Sequence, residues 1–210
     1  MKKITIGLSI VVFAIMLPLV GCGSKEQSAT EVSQQQPLKQ KIEELIQKAK
    51  AGDAEAETEL GEIYASGEGL PKDASKAANL FQQAAEKGIA KAQFHLGQMY
   101  SRGEGVPQDS ARAADLVKQS AVNGYAKAQT LLASMYAKGE GVTRDEVLAY
   151  VWSSLAVSGG DQDAKQLQES VTLNTLLHEE AERLKSKWTR GVEIVREQQK
   201  ADVPAPAKNK

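Results

Sequence analysis

The sequence predicts an all-α solenoid, a stack of helix pairs, because it repeats itself every 36 residues. The run Gly67-Glu68-Gly69 recurs as Gly103-Glu104-Gly105 and again as Gly139-Glu140-Gly141. Other residues keep the same spacing, namely Leu60, Leu96 and Leu132; Tyr64, Tyr100 and Tyr136; and Ala56, Ala92, Ala128 and Ala164. A period between about 20 and 50 residues is typical of stacked supersecondary units, each too small to bury its own apolar face.

Residues 1–21 have the layout of a secretory signal peptide. Lys2 and Lys3 precede an apolar run over residues 4–17, which is shorter than the roughly 20 residues of a membrane-spanning helix. The sequence Leu-Val-Gly-Cys that ends at Cys22 resembles the bacterial lipobox, in which the cysteine is acylated and becomes the first residue of the mature protein. The resemblance implies a lipid anchor on Cys22, with an ordinary secretion signal as the alternative.

The residues after the cysteine bear on localisation. Gly23 and Ser24 stand there, and not an aspartate of the kind that retains lipoproteins in the inner membrane. Resemblance to that sorting pattern implies the outer membrane, facing the periplasm, if the cell is Gram-negative. Residues 22–37 are rich in Gln, Ser, Glu and Thr, and we predict that they form a flexible tether.

The folded body is expected to begin at Leu38. Apolar residues then follow at helical spacing, which predicts a capping helix over residues 38–52 that covers the first repeat. These residues are Leu38, Ile42, Leu45, Ile46 and Ala49.

Three repeats are predicted, over residues 53–88, 89–124 and 125–160, and each supplies two helices. The first helices are expected over 53–66, 90–102 and 126–138, where Gly61, Gly97 and Ala133 are small enough to let a second helix approach closely. Gly-Glu-Gly then permits the positive φ angles that end a helix. Aspartates are suited to cap the second helices, and glycines to end them. They are Asp73, Asp109 and Asp145, and Gly88, Gly124 and Gly160.

Residues 161–199 are predicted to be a partial fourth repeat followed by a C-terminal capping helix that begins near residue 172. One face of this helix is expected to be apolar and the other is highly charged, as a terminal cap requires. The apolar face consists of Leu173, Leu176, Leu177, Ala181, Leu184 and Trp188. Residues 200–210 are predicted to be a disordered tail.

The repeated pattern Ala-x-x-x-Leu-Gly-x-x-Tyr-x-x-Gly-x-Gly-Val-x-x-Asp resembles the Sel-one-like repeat, a 36-residue relative of the tetratricopeptide repeat. The second copy matches it best, whereas the third departs at Ala133, where glycine is usual, and at Val147-Leu148, where a lysine is typical. The resemblance implies an α/α right-handed superhelix that serves as an adaptor or assembly scaffold. Exported bacterial members commonly take part in envelope processes, signalling or host contact.

The composition offers little for catalysis. The formal net charge is −1, and the loss of residues 1–21 would remove two lysines and no acid, which gives −3, so no basic excess indicates a nucleic-acid partner. A single Cys cannot form a disulfide framework. His95 and His178 have no second ligand at helical spacing, and the loop glutamates Glu68, Glu104 and Glu140 are one repeat apart. We therefore predict no catalytic residue, no metal site and no cofactor.

A binding surface is the more promising prediction. In tetratricopeptide-like stacks the concave wall is built from first-helix side chains that face away from the second helices. Here that set, which we call the first-helix wall, consists of Glu55, Thr58, Glu62, Lys91, Phe94, Gln98, Arg102, Lys127, Thr130, Ser134 and Lys138. The wall changes from acidic to basic and has one aromatic ring in the middle, which suits an extended peptide or a partner helix. The alternative is an ordinary solvated face, with Phe94 packed between repeats.

The sequence thus favours a non-enzymatic, lipid-anchored scaffold or adaptor of the bacterial cell envelope that binds other envelope proteins or peptides. One alternative is a binder or hydrolase of cell-wall fragments or β-lactams, as cysteine-rich members of the family suggest. Those relatives join the helices of each repeat by a disulfide, which this chain cannot do. A structural subunit of a larger complex is a third possibility.

Overall fold

The computed structural model describes residues 27–171, 173 and 175–188, with the backbone alone for residues 27–37. All regular secondary structure in these residues is helical. The helices are α1 (Gln27–Lys50), α2 (Ala54–Ser66), α3 (Ala74–Glu86), α4 (Ala90–Arg102), α5 (Ser110–Val122), α6 (Ala126–Lys138), α7 (Glu146–Ser158), α8 (Asp163–Ser170) and α9 (Thr175–Lys187). The chain forms two compact units, Met1–Leu38 and Lys39–Lys210, and the stack of helix pairs lies in the second.

Several predictions for the chain ends concern residues outside this range. The signal peptide, Cys22 and the tail at 200–210 all lie outside the described residues. Within them, every helix is too short or too polar to cross a lipid bilayer.

The first described helix is longer than the sequence predicts. It begins at Gln27, so residues 27–37, which we predicted to be tether, are helical. Residues 27–36 contain neither glycine nor proline, and their Gln, Ser, Glu and Ala side chains do not oppose a helix.

The end of α1 repeats the geometry of the second helices. Ile42 and Leu45 are buried, and Gly52 follows with a φ of 87°. Gly88, Gly124 and Gly160 stand at multiples of 36 residues from Gly52 and have φ angles of 86°, 83° and 92°. The last part of α1 therefore takes the place of the second helix of an incomplete repeat.

The three full repeats are the pairs α2–α3, α4–α5 and α6–α7, and their capping residues are those predicted. Gly67, Gly103 and Gly139 end the first helices in the left-handed conformation. The aspartate carboxylates accept hydrogen bonds from the amides of Lys76, Arg112 and Leu148 at 3.0, 2.9 and 3.0 Å. Each bond satisfies an amide that the helix itself leaves without a partner.

The second glycine of the second and third Gly-Glu-Gly loops has a packing role that the sequence did not show. A Cβ on Gly105 would overlap the carbonyl group of Ala74, and one on Gly141 would overlap that of Ser110. Ala74 and Ser110 begin α3 and α5, so each loop rests on the start of the second helix of the preceding repeat. The loop thereby joins consecutive repeats.

The helices of each pair approach closely, and the third pair does so with different residues. A Cβ on Gly61 would lie 2.7 Å from the ring of Phe81, and one on Gly97 would lie 2.8 Å from the side chain of Val117. In the third repeat the corresponding residues are Ala133 and Ser153, both fully buried. As the residue on the first helix gains a methyl group, its neighbour on the second helix becomes smaller, which explains how alanine replaces the usual glycine.

The C-terminal end departs from the repeat. Helix α8 is short, and α9 packs against α7 with Ala181 fully buried. Leu173, Leu177, Leu184 and Trp188 are partly buried against the core, as predicted, but Leu176 is 77% exposed. The assignment of Leu176 to the apolar face was wrong because the buried stripe runs through 177, 181, 184 and 188, and a residue one position away points about 100° from it.

The close helix contact in the central repeat generates a stability prediction. We expect Gly97→Ala to destabilise the wild-type protein, since its new methyl group overlaps Val117, and overpacking of this kind typically costs about 1–3 kcal/mol. In a Val117→Ala background the same change should cost much less, because the third repeat already accommodates Ala133 next to a small residue. Urea denaturation of the four proteins of this double-mutant cycle measures the coupling. Equal costs in both backgrounds would show that the steric explanation is wrong.

Candidate functional site

A groove of about 880 Å³ lies between the first two repeats and contains part of the first-helix wall. Four of the predicted wall residues line it, namely Glu62, Lys91, Gln98 and Arg102. We call it the inter-repeat groove. Residues that the sequence analysis did not assign to the wall also line it, including Lys41, Ile63, Phe81, His95 and Met99. The groove is therefore mixed in character, with charged side chains around an apolar floor.

Glu62 is the centre of a polar cluster that joins α2 to α4. The Nζ atom of Lys91 lies 2.7 Å from Oε1 and 2.8 Å from Oε2 of Glu62, and Nε2 of His95 lies 2.9 Å from Oε1. Glu62 and Lys91 are both half-buried, so their interaction is screened less than that of an exposed pair. The cluster fixes the acidic residue of one repeat against the basic residues of the next.

His95 is held by aromatic rings as well as by Glu62. Its imidazole stacks on Phe81 with the ring centroids 5.0 Å apart, and Phe94 meets it edge-on at 5.3 Å. Burial lowers the pKa of His95 below its ordinary value of 6.5, and this effect outweighs the opposing carboxylate of Glu62. Lys91 and Lys127 also lower the pKa. The structure thus favours a neutral imidazole in a polar groove.

The prediction that Phe94 offers an exposed aromatic anchor needs correction. The Phe94 side chain is only 7% exposed and packs edge-on against Tyr125, at 5.3 Å, as well as against His95. Tyr125 immediately precedes α6, so Phe94 fills the space between the second and third repeats. A ring in this position stabilises the stack, because wedging between repeats removes it from water.

Thr58 also lies inside the protein. It is buried, and its hydroxyl donates to the carbonyl of Ala54 at 2.8 Å. A binding partner therefore has no access to this part of the predicted wall.

In the third repeat the wall is more open. Lys127 and Lys138 are exposed, and Ser134 is half-buried. The hydroxyl of Thr130, also half-buried, donates to Asp161 at 2.6 Å and so connects α6 to the turn before α8. Together with the exposed Glu55 in the first repeat, these residues give the wall an acidic end and a basic end, as the sequence predicts.

The loop glutamates take no part in a cluster of carboxylates. Glu104 lies 3.8 Å from Arg102, and Glu140 lies 3.7 Å from Lys138, in exposed ion pairs that contribute little to stability. His178 contacts the ring of Tyr150 at 5.1 Å, far along the chain from His95. Among the described residues no group of three His, Cys, Asp or Glu side chains could hold a metal ion. The arrangement suits binding by charge and shape.

The contribution of His95 was missed because sequence spacing hid its partner. Glu62 precedes His95 by 33 residues, on the neighbouring first helix, so no local motif joins them. The 36-residue period contains the only available signal. It places Glu62 and His95 on consecutive first helices, with Glu62 at the repeat position of Gln98.

Comparison with known proteins agrees with this geometry. The family model of the Sel1 repeat matches residues 54–89, 90–125 and 126–161, one residue later than the predicted repeat boundaries. No curated protein matches the chain.

Two solved structures have the same fold. The chain is similar to a Sel1 repeat protein from Oxalobacter formigenes, with 36% identity and a TM-score of 0.56 over 61% of this chain and 97% of that one. It is also similar to c5321, a protective antigen present in uropathogenic Escherichia coli strains that displays an SLR fold. That likeness has 24% identity and a TM-score of 0.55, covers 80% of this chain and 44% of the antigen, and shows the fold alone. The predicted all-α repeat solenoid is confirmed.

The lowered pKa of His95 predicts a pH-dependent stability. The unfolded chain binds more protons than the folded protein once the pH falls below about 6.5, so the His95 contribution to the free energy of unfolding decreases from that pH downward. At pH 8 we expect His95→Gln to have a lower free energy of unfolding than the wild type, because it loses the ring contacts. Between pH 8 and pH 5, however, it should lose less stability than the wild type does. Denaturant titrations at several pH values measure this, with His178→Gln as the control. Parallel profiles for wild type and His95→Gln would rule the effect out.

Proposed function

Because the chain belongs to the Sel1 repeat family, we propose that it is a non-enzymatic, lipid-anchored scaffold of the bacterial cell envelope that binds a partner along its first-helix wall. Proteins of this family typically mediate protein–protein interactions. The observation that carries the proposal is the inter-repeat groove, where charged side chains from two repeats surround an apolar floor. Grooves of this mixed kind bind extended peptides or partner helices.

The charges along the wall give the bound partner a direction. The carboxylate of Glu62 is already bound by Lys91 and His95, so it holds the repeats in place. Exposed Glu55 at one end and exposed Lys127 and Lys138 at the other remain to contact a partner. Such rim charges set orientation and association rate more than affinity.

The apolar contribution comes from the floor of the groove. Phe81 and Met99 are buried there, and the half-buried Ile63 lies beside them. Because Phe94, Phe81 and Met99 are all buried, the half-buried Ile63 is the large apolar side chain of the floor that a partner can contact. The alternative of a cell-wall hydrolase or β-lactam binder ranks second, because the cysteine-rich family members that suggest it have a disulfide in each repeat and this chain has a single cysteine.

The proposed envelope location depends on the sequence around Cys22. An apolar run, a Leu-Val-Gly-Cys sequence and the only cysteine of the chain occur together there. Stable anchoring by lipid requires more than one acyl chain, which lipobox processing supplies. Outer-membrane attachment, with the repeats in the periplasm, is the proposed arrangement in a Gram-negative cell.

The anchor can be tested by changing the cysteine. We expect Cys22→Ser to accumulate as an unprocessed precursor, because acylation must precede removal of residues 1–21. Mass spectrometry of the membrane fraction measures both the cleavage and the lipid, and Ser24→Ala serves as a control that should be processed normally. A soluble mature protein whose Cys22 is unmodified would disprove the anchor.

Crosslinking in intact cells tests the wall. A photoreactive amino acid in place of Gln98, which lines the inter-repeat groove, should give one discrete adduct with another protein. The matched control carries the same amino acid in place of Asp115, an exposed residue of α5. Lys127→Glu should reduce the adduct from Gln98, most strongly at low salt, without changing the circular dichroism spectrum. An adduct from position 115 alone, or one that Lys127→Glu leaves unchanged, would place the interface elsewhere.

A further inference from the structure

Helix α7 has an apolar face that is buried, whereas the same positions of α3 and α5 are exposed or half-buried. That face is built from four apolar positions of the third repeat, and all four are buried: Leu148, Val151, Trp152 and Leu155. The contacts of α7 with α6 and α8 have counterparts in the other repeats, whereas its contact with α9 does not, so α9 accounts for the additional burial. We call these four positions, and the equivalent positions of α3 and α5, the outer face of a second helix.

Comparison of the repeats explains why the position of Leu148 is apolar only in α7. In the first two repeats the position of Leu148 is occupied by Lys76 and Arg112, whose cationic groups lie 5.3 and 4.7 Å from the ring centroids of Tyr64 and Tyr100. These cations cover the tyrosines while remaining in contact with water. Under α9 a cation would be buried, so leucine takes its place and the helix itself supplies the cover. This accounts for the departure of the third repeat from the family pattern at Leu148.

The outer face of α3 forms one wall of an apolar groove of about 330 Å³. Its four residues Lys76, Asn79, Leu80 and Gln83 occupy the positions that α9 covers in α7. The remaining lining comes from α1 and α2, and consists of Ile46, Ala49, Lys50, Leu60 and Tyr64. We call this the N-terminal groove. It lies on a different face of α2 from the inter-repeat groove, because Leu60 and Tyr64 point away from Glu62.

We propose that the N-terminal groove binds an amphipathic helix of a partner protein, in the manner in which α9 binds α7. The matching positions favour a helical occupant, because the fold already uses a helix to cover them in the third repeat. The half-buried Ile46, Tyr64 and Leu80 provide the apolar contact area, above the buried Leu60. A partner helix would present leucine and alanine side chains, as α9 does with Leu177, Ala181 and Leu184.

The charges around the groove define the partner further. Lys50 and Lys76 both line it and both are exposed. Besides its contact with the Tyr64 ring, Lys76 has an exposed ion pair with Asp73 at 3.2 Å, which a partner carboxylate can compete with. The partner helix should therefore be acidic beside its apolar stripe. A second copy of the chain is a poorer occupant, because its own α9 is engaged with its own α7.

The central repeat supplies a matched control surface. There the four outer-face positions are Arg112, Asp115, Leu116 and Gln119. Leu116 is half-buried like Leu80, and it stands at the same position of the repeat. A neighbouring residue is different, since Glu86 stands in the central repeat at the position that Lys50 has in the first.

The test uses a fluorescent peptide with the sequence of residues 171–188, which contains α9 and its acidic residues Glu179, Glu180 and Glu182. We expect saturable binding to the purified full-length protein in fluorescence anisotropy. Leu80→Gln should weaken the affinity at least tenfold, whereas Leu116→Gln should change it less than twofold. A second peptide with Glu179 and Glu180 changed to lysine should bind more weakly, and most clearly so at low salt.

Three results would overturn the proposal. Wild-type protein that shows no saturable binding would exclude helix docking in this groove. Binding that Leu80→Gln leaves unchanged would place the peptide on α7, by displacement of the resident α9. Self-association of the wild type in analytical ultracentrifugation, lost in Leu80→Gln, would make the occupant a second copy and not a partner. Circular dichroism on each variant confirms that the proteins compared are folded.

Discussion

The close contact between the two helices of each repeat is the constraint on which the rest of the structure depends. Where the helices cross, Gly61 faces Phe81 and Gly97 faces Val117 with no space for another atom. Ala133 and Ser153 divide the same space differently. Dense packing makes such exchanges cooperative, because a methyl group added on one side must be removed from the other. Once each pair is fixed, the loop that follows can rest on the preceding repeat, which Gly105 and Gly141 permit.

Repetition creates a difficulty at both ends of the stack, since the terminal pairs have no neighbour to cover them. At the start, α1 takes the position of a second helix and ends at Gly52 in the same backbone conformation as the other second helices. At the end, α9 covers the outer face of α7, and three of the four residues of that face are apolar where earlier repeats have polar ones. The two ends of the stack are therefore covered in different ways, by α1 in the place of a second helix and by α9 outside the repeat. Only the C-terminal one changes the sequence of the repeat it covers.

The candidate site also arises from stacking. Glu62, Lys91 and His95 come from two repeats and meet because consecutive first helices lie side by side. The bipolar charge of the wall could be predicted from the sequence, since the 36-residue register assigns each charge to a repeat. The pairing of Glu62 and the burial of Phe94 could not. They depend on the separation of neighbouring helices, which decides whether a side chain spans the gap between repeats or faces water.

The sequence by itself determined the repeat, the bounds of its three first helices, the aspartates that cap the second helices, the glycines that follow the helices, and the family to which the chain belongs. These follow from local chemistry repeated at a fixed interval: aspartate accepts free amides, and glycine adopts positive φ. Tertiary structure alone decided which wall residues are accessible and why Leu148 stands where a cation is usual. It also decided that Leu176 is exposed while Leu177 is not. Each of these depends on what a neighbouring helix covers, and that neighbour lies a whole repeat away or, like α9, outside the repeat altogether.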